Sequence, residues 1–331
     1  MFNLKNITNE YDIENWTLFL EKVIGNNTGW IQILTASVLI IIFIVGFIGN
    51  LLTCTVIYCD KKMHTITNHY IFNMAATDLL VSFGISLEVY LCLTDSYLFG
   101  NIACKIHFFF VVLLWNNSIL VMTTLAIERY FAIWYPLSSK FVPSMKRARK
   151  IITVIWIISI CETIPELWTV ELVKTEKMSY CFTVPSPLAR VISGVLALVT
   201  FVIPLTIMLF VYIMIALKVN NSEKSNSRRT IFNHKNNRRK VNKLVVAITI
   251  SFLICWLPFF CNRLLFFFCD MQQLMQLGRI WDINYRTLLI NSWFSIILNP
   301  IIFSLMSSKF RNALLKLWRT KFKRQPETIY L

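Results

Sequence analysis

Long apolar runs broken by short polar segments organise this chain. Seven runs are long enough to cross the roughly 30 Å hydrocarbon core of a bilayer, which takes about 20 helical residues. They lie at Trp30–Tyr58, Ile66–Leu93, Cys104–Trp134, Ile151–Trp168, Leu188–Leu217, Val241–Phe268 and Arg286–Met306. In lipid every backbone polar group must be satisfied internally, which leaves helices or barrel strands. Barrel strands need only about 9–11 residues of alternating polarity, and these runs are longer and do not alternate. The pattern predicts an all-α membrane protein, a bundle of seven spanning helices. No repeat or low-complexity tract divides it. The expected organisation is an outer segment over 1–29, a spanning body over 30–306 and a cytoplasmic segment over 307–331. Within the last, Lys309–Arg324 interleaves basic residues with Phe310, Leu314, Leu315, Leu317 and Trp318, and reads as an amphipathic helix on the inner leaflet.

Composition agrees with the pattern. Of 331 residues, 56% are hydrophobic and 15% charged, against about 45–50% and about 25% in soluble proteins. Mean hydropathy is +0.60. These values exclude a disordered chain, a collagen and a coiled coil, and they do not fit a soluble enzyme.

A net charge of +16 sits oddly on so apolar a chain, and its distribution sets the orientation. Loops rich in Lys and Arg stay in the cytoplasm. With the N-terminus outside, the inner segments are Asp60–Thr65, Tyr135–Lys150, Lys218–Lys243 and the chain from Ser307. Together with Glu128 and Arg129 they hold 24 basic and 4 acidic residues; the outer face holds 9 basic and 12 acidic. Asp78 alone lies at mid-depth. The glycosylation sequons at Asn6, Asn15 and Asn26 all fall in the outer segment. A fourth, at Asn220, falls inside and is expected to stay unused. The first thirty residues carry Glu10, Asp12, Glu14 and Glu21 and lack a signal-peptide pattern, so the first helix is expected to act as its own anchor.

The polar residues inside the runs are the next signal. The first run has Gly49-Asn50, and the second has Asn73 and Asp78 within Asn73-Met74-Ala75-Ala76-Thr77-Asp78-Leu79-Leu80. The third begins at Cys104 and ends Glu128-Arg129-Tyr130, followed by Pro136-Leu137. The fourth has Trp156, and the fifth Pro204 and Tyr212. The sixth has Cys255-Trp256-Leu257-Pro258; the seventh has Asn299-Pro300-Ile301-Ile302-Phe303, then Lys309-Phe310-Arg311. One signature per helix, in order, this set resembles the rhodopsin-like G-protein-coupled receptors over about residues 30–320.

The resemblance implies a set of roles. Asp78 would join Asn50, Ser118, Ser295 and Asn299 in a polar cluster able to hold an allosteric sodium ion; no other cofactor is implied. An intramembrane carboxylate is costly and marks a functional site by default. Trp256 would sense ligand, and Pro204, Pro258 and Pro300 would kink their helices. Helix six could then swing outward at its inner end. Arg129, beside Glu128 and Tyr130 and aided by Tyr212, would meet a heterotrimeric G-protein; arrestin is a further expected partner. Two positions depart from the family. The place that often holds an acid at the base of helix six is Arg238, so that lock to Arg129 is expected to be absent and basal signalling measurable. Phe303 stands where Tyr is usual, which removes a hydroxyl contact with Tyr212.

The nine cysteines are an odd number, so not all pair. Cys54, Cys59, Cys161 and Cys255 read as small apolar residues. The resemblance implies a disulfide between Cys104 and Cys181, both on the oxidising side. Cys92, Cys261 and Cys269 lie towards the same face, and a Cys92–Cys269 bridge is a further option.

For the ligand, Val111 occupies the position that carries Asp in amine receptors, and no Lys lies in the outer half of the seventh run, which excludes an opsin. The expected binding residues are Glu88, Phe108, Val111, Val112, Trp115, Glu162, Glu166, Phe259, Phe260, Arg263 and Tyr285. An aromatic, net acidic funnel suits a cationic ligand. The strings Ser86-Leu87-Glu88-Val89-Tyr90, Tyr97-Leu98-Phe99-Gly100, Cys181-Phe182-Thr183-Val184 and Asn262-Arg263-Leu264-Leu265-Phe266 resemble the neuromedin U and pyrokinin-type receptors. That resemblance implies an amidated, Arg-containing peptide, its arginine on Glu88 and its C-terminal amide or a carbonyl at Arg263. Val112 replaces that group's Glu, and the Asp78-to-Glu88 spacing is one residue short.

Other classes fare worse. No HExxH, no intramembrane aspartate pair and no Gly-rich phosphate loop supports an enzyme, and no broken span or repeat supports a transporter. The basic residues flank spans on one side, which serves topology and not nucleic-acid binding. A decoy receptor that binds without coupling, or a receptor for a non-peptide ligand, remains as the alternative.

Overall fold

The computed structural model describes residues 29–94, 96–135, 144–175, 178–184, 186–224, 232–269, 271–277 and 279–322, together with Asn15, Thr17, Leu18, Phe19 and Glu21. Within these, the side chains of 219–245 and of several scattered positions, Tyr285 among them, are outside the description. Asn6 and Asn26 also lie outside the described residues.

Helices α1 (Gly29–Cys59), α2 (Ile66–Thr94), α3 (Gly100–Trp134) and α4 (Met145–Thr163) form the first four spans. α4 continues as a 3-10 turn, Ile164–Trp168. The fifth span is α5 (Pro187–Ala197) and α6 (Ile203–Lys224), joined by a π-helical turn at Leu198–Val202. α7 (Phe232–Phe268) is the sixth span, α8 (Met271–Gln276) a short outer helix, α9 (Arg279–Met306) the seventh span and α10 (Ser308–Phe322) the helix that follows it. Among the described residues, six helices are long and apolar enough to cross a membrane, and Leu253–Phe268 is a further, shorter apolar helix. α3 is the hub, packed against α2, α4, α6 and α7.

α1, α2 and α5 start within one residue of their apolar runs, whereas α3, α4, α7 and α9 start four to nine residues ahead of theirs. α3 begins earlier, at Gly100, where a φ of +75° suits a residue without a side chain. α4 begins earlier too, because Ser144 caps it by accepting from the Arg147 N–H. Hydropathy marks where lipid begins, and a helix need not stop there.

Packing follows the solvent. On α1, Ile33, Ile40, Ile41, Ile44, Ile48 and Leu52 are exposed while Asn50 is fully buried. Lipid tails solvate Ile and Leu as well as a protein interior does, so polar and small groups take the helix contacts. Gly46 and Gly49 show this: an added Cβ would lie 2.7 Å from Ile296 and 2.8 Å from Pro300.

One feature has no hydropathy signal. The outer loop after α4 folds into an antiparallel hairpin, β1 (Val170–Lys174) and β2 (Ser179–Thr183). The Cys104–Cys181 disulfide ties it to the top of α3. Cys92, Cys261 and Cys269 form no disulfide, so the Cys92–Cys269 option is not realised. At the inner end, α10 buries Phe310 against Phe303, with ring centroids 4.7 Å apart, and exposes Leu315 and Trp318.

Candidate functional site

A cavity opens towards the outer face, between α2, α3, α5, α7 and α9 and under the hairpin. Seven of the expected binding residues line it: Glu88, Phe108, Val111, Val112, Trp115, Phe259 and Arg263. Three do not, and the fourth, Tyr285, has its side chain outside the described residues. Phe260 turns away to stack on Phe201 of the π turn, with centroids 4.1 Å apart. Glu162 lies off the cavity, its Oε2 buried with no hydrogen-bond partner among the described residues. Glu166 is buried beneath the wall, where it forms an ion pair with Arg263 and accepts a hydrogen bond from Thr169 at 3.4 Å.

That pair corrects the picture of a net acidic funnel. Among the described residues, the charged lining is one carboxylate, Glu88, and two guanidiniums, Arg263 and Arg286. Two acids counted in the outer charge are not presented to the cavity. Among the described residues, no hydrogen bond or ion pair engages Glu88. Burial holds the nearby Tyr97 phenol above its ordinary pKa, and the negative charge of Glu88 adds to that. His107, Asn262 and Arg286 also line the cavity and were missed from the sequence: Asn262 stands beside Arg263 in a signature string without being singled out, and His107 and Arg286 stand in none. His107 has a buried Nε2 without a partner among the described residues.

The cavity floor is aromatic. Trp115 meets Phe259 at 5.4 Å, Trp256 at 4.6 Å and Trp293 at 5.6 Å, all edge-on. Trp115 touches both the ligand space and Trp256, as does Phe259, whose ring centroid is 5.8 Å from that of Trp256.

Below Trp256, Asp78 is buried and accepts from the Asn299 amide at 2.9 Å. A small cavity brings Asp78, Ser118, Ser295, Asn299, Trp115 and Trp256 together. Asn50 is not in it. Its amide donates to the carbonyls of Gly46 at 2.9 Å and Ile296 at 3.0 Å. The Ile296 carbonyl is the one Pro300 leaves without a helical donor, because proline has no N–H. Asn50 therefore seals the proline break in α9. In α7 the same service comes from Asn291, which donates to Ile254 and Cys255. A π-helical turn, Leu198–Val202, lies just before Pro204. Trp156 donates to Asn73 at 3.1 Å, and Asn73 to Asn117 at 3.0 Å, tying α4, α2 and α3.

At the inner end, Glu128 bridges Arg147 at the start of α4, 3.2 Å away. Arg129 donates to the Thr67 hydroxyl at the start of α2. Tyr130 packs on Trp134, with centroids 5.7 Å apart. Tyr212 lies partly buried on the inner core. The Arg238 side chain is outside the described residues.

Residues 49–303 match the family model for the seven-transmembrane receptor (rhodopsin family). The chain belongs to the rhodopsin family of seven-transmembrane receptors. It is similar to mouse neuromedin-U receptor 2, 30% identical over 308 residues that cover 89% of this chain and 78% of that protein. Rabbit growth hormone secretagogue receptor type 1 is 29% identical over 286 residues, 83% and 78% of the two chains. A neuromedin U receptor homolog of Caenorhabditis elegans is 28% identical over 341 residues, 92% and 85%. A rhodopsin-family receptor is a multi-pass protein of the plasma membrane and not an enzyme.

Proposed function

We propose that this rhodopsin-family receptor binds an extracellular, amidated, cationic peptide and passes that event to a heterotrimeric G-protein through an outward swing of the inner end of α7. The observation that carries the reading is Glu88, the one carboxylate of the cavity wall among the described residues, set in an aromatic lining and engaged by no protein cation there. A ligand arginine would supply the missing cation and bury its stem on Phe108 and Trp115. Arg263, oriented from behind by Glu166, offers donors to the peptide's C-terminal amide or a carbonyl. Two of the relatives above are named for neuromedin U, which makes that peptide the first probe.

The binding signal would pass from Trp115 to Trp256, and from there to the small cavity at Asp78. One carboxylate, two hydroxyls and an amide form an oxygen-rich set that suits sodium, so Asp78, Ser118, Ser295 and Asn299 are assigned to an allosteric sodium ion. Asn50 supports α9 from outside that set. Arg129 and Tyr212 are assigned to the G-protein contact, and the exposed face of α10 to the inner leaflet.

The test is calcium mobilisation in cells given a panel of amidated peptides that includes neuromedin U. Glu88→Gln should raise the concentration needed for half-maximal response at least tenfold for an Arg-containing agonist. Unchanged potency would remove Glu88 from the ligand contact. Agonist-driven guanine-nucleotide exchange on isolated membranes separates a coupling receptor from a decoy, which would bind without exchange.

A further inference from the structure

Among the described residues, the hairpin over the cavity has one edge in use and one edge occupied only at its end. Its ladder can be phased from both ends. The Thr175 N–H donates to Met178 at 2.8 Å, and the Val184 N–H donates to Thr169 at 3.0 Å. These mark the hydrogen-bonded pairs, which alternate along an antiparallel ladder. With Leu172 opposite Cys181 and Val170 opposite Thr183, the main-chain groups of Ser179, Cys181 and Thr183 point away from β1. The neighbours agree. The Tyr97 N–H donates to the Ser179 carbonyl at 2.9 Å, from beyond β2. On the far side, the Leu172 N–H donates to Asn101 Oδ1 at 3.0 Å, from beyond β1.

So Ser96–Tyr97 already adds a short strand at one end of this edge, through a parallel bridge to Ser179. The next two positions, Cys181 and Thr183, line the ligand cavity. No main-chain hydrogen bond from either is found among the described residues. An open strand edge is a template for an extended chain, and the Cys104–Cys181 disulfide holds this one against α3 before ligand arrives.

We propose that the outer edge of β2 is a docking edge, on which an extended segment of the peptide ligand pairs its main chain with Cys181 and Thr183. Glu88 then selects a side chain, while the edge reads the backbone and sets the register. The proposal rests on the peptide reading above.

The experiment replaces each amide of neuromedin U in turn by an ester, which removes one N–H and weakens one carbonyl. If another peptide of the panel is the agonist, the same scan is made on it. The expected profile has period two: alternate esters cost about five- to tenfold in potency, the loss of one hydrogen bond, and intervening esters cost little. On the receptor, Thr183→Pro deletes one outward N–H that no described partner uses, so surface expression should persist while potency falls by a similar factor. A flat ester profile leaves the edge to water or to this chain's own outer segment and overturns the proposal with the peptide reading intact. Failure of every peptide to bind overturns both.

Discussion

The side-chain amide of Asn291 in α9 donates to the carbonyl of Ile254 in α7 at 3.1 Å and to that of Cys255 at 2.9 Å. The Ile254 carbonyl lies four residues before Pro258, so the helix itself offers it no donor. Asn291 thus closes the break in α7 from a neighbouring helix, one turn above the Asn50 contact that does the same for α9. In hydrocarbon an unpaired carbonyl costs several kcal/mol, and loss of a partner in a protein costs about 1–3 kcal/mol. Asn291→Leu should therefore lower the melting temperature of the solubilised receptor by several degrees. An unchanged melting temperature would mean that another group or water serves the carbonyl.

Glu166 and Arg263 form a buried pair across the cavity wall, 1% and 9% exposed. Removing one partner strands the other charge, at about 3–5 kcal/mol. Glu166→Leu alone should sharply reduce receptor at the cell surface, counted by flow cytometry. The double change with Arg263→Leu should recover surface expression, because a buried pair replaced by apolar residues is near neutral, yet agonist potency should stay low. Full expression of the single variant would show that Arg263 finds another partner.

Asp78 is assigned to sodium. Agonist binding to membranes should weaken as sodium replaces a large organic cation at constant ionic strength. Asp78→Asn should make binding insensitive to the exchange while keeping the Asn299 contact available. A sodium response that survives the substitution would place the ion elsewhere.

Arg129 is held by the Thr67 hydroxyl, and Glu128 by Arg147. With Arg238 at the usual acid position of the sixth span, these are the restraints in view. Second-messenger output without ligand should be measurable in wild type and rise severalfold in Thr67→Val. Arg147 is about a third exposed, so Arg147→Ala should move the output less. A silent Thr67→Val receptor would argue that Arg129 is restrained from α7 after all.

The hydropathy runs located the seven spans to within a few residues at most ends, since a bilayer demands length and apolarity and both are written locally. The Lys/Arg bias located the inner face for the same reason. Glu88 and Trp115 were legible because a carboxylate in the outer part of a span or a large aromatic at mid-span has few other uses. Phe260 was misplaced among the cavity residues, because adjacent aromatics on a helix point about 100° apart and hydropathy does not say which one faces the ligand. His107, Asn262 and Arg286 were invisible for a related reason: polar residues near a span end fit a cavity wall and a headgroup region equally well.

By itself, the sequence determined the membrane class, the orientation, the family and the residues able to carry charge in the bundle. Only the tertiary structure decided their partners. Glu166 meets Arg263 across 97 residues, and Asn50 meets Ile296 across 246. Composition cannot report such meetings. They depend on how each helix is rotated about its axis and which faces close packing brings together. Among the described residues, that rotation turned an acidic funnel into a wall with one available carboxylate and left part of one strand edge open above it.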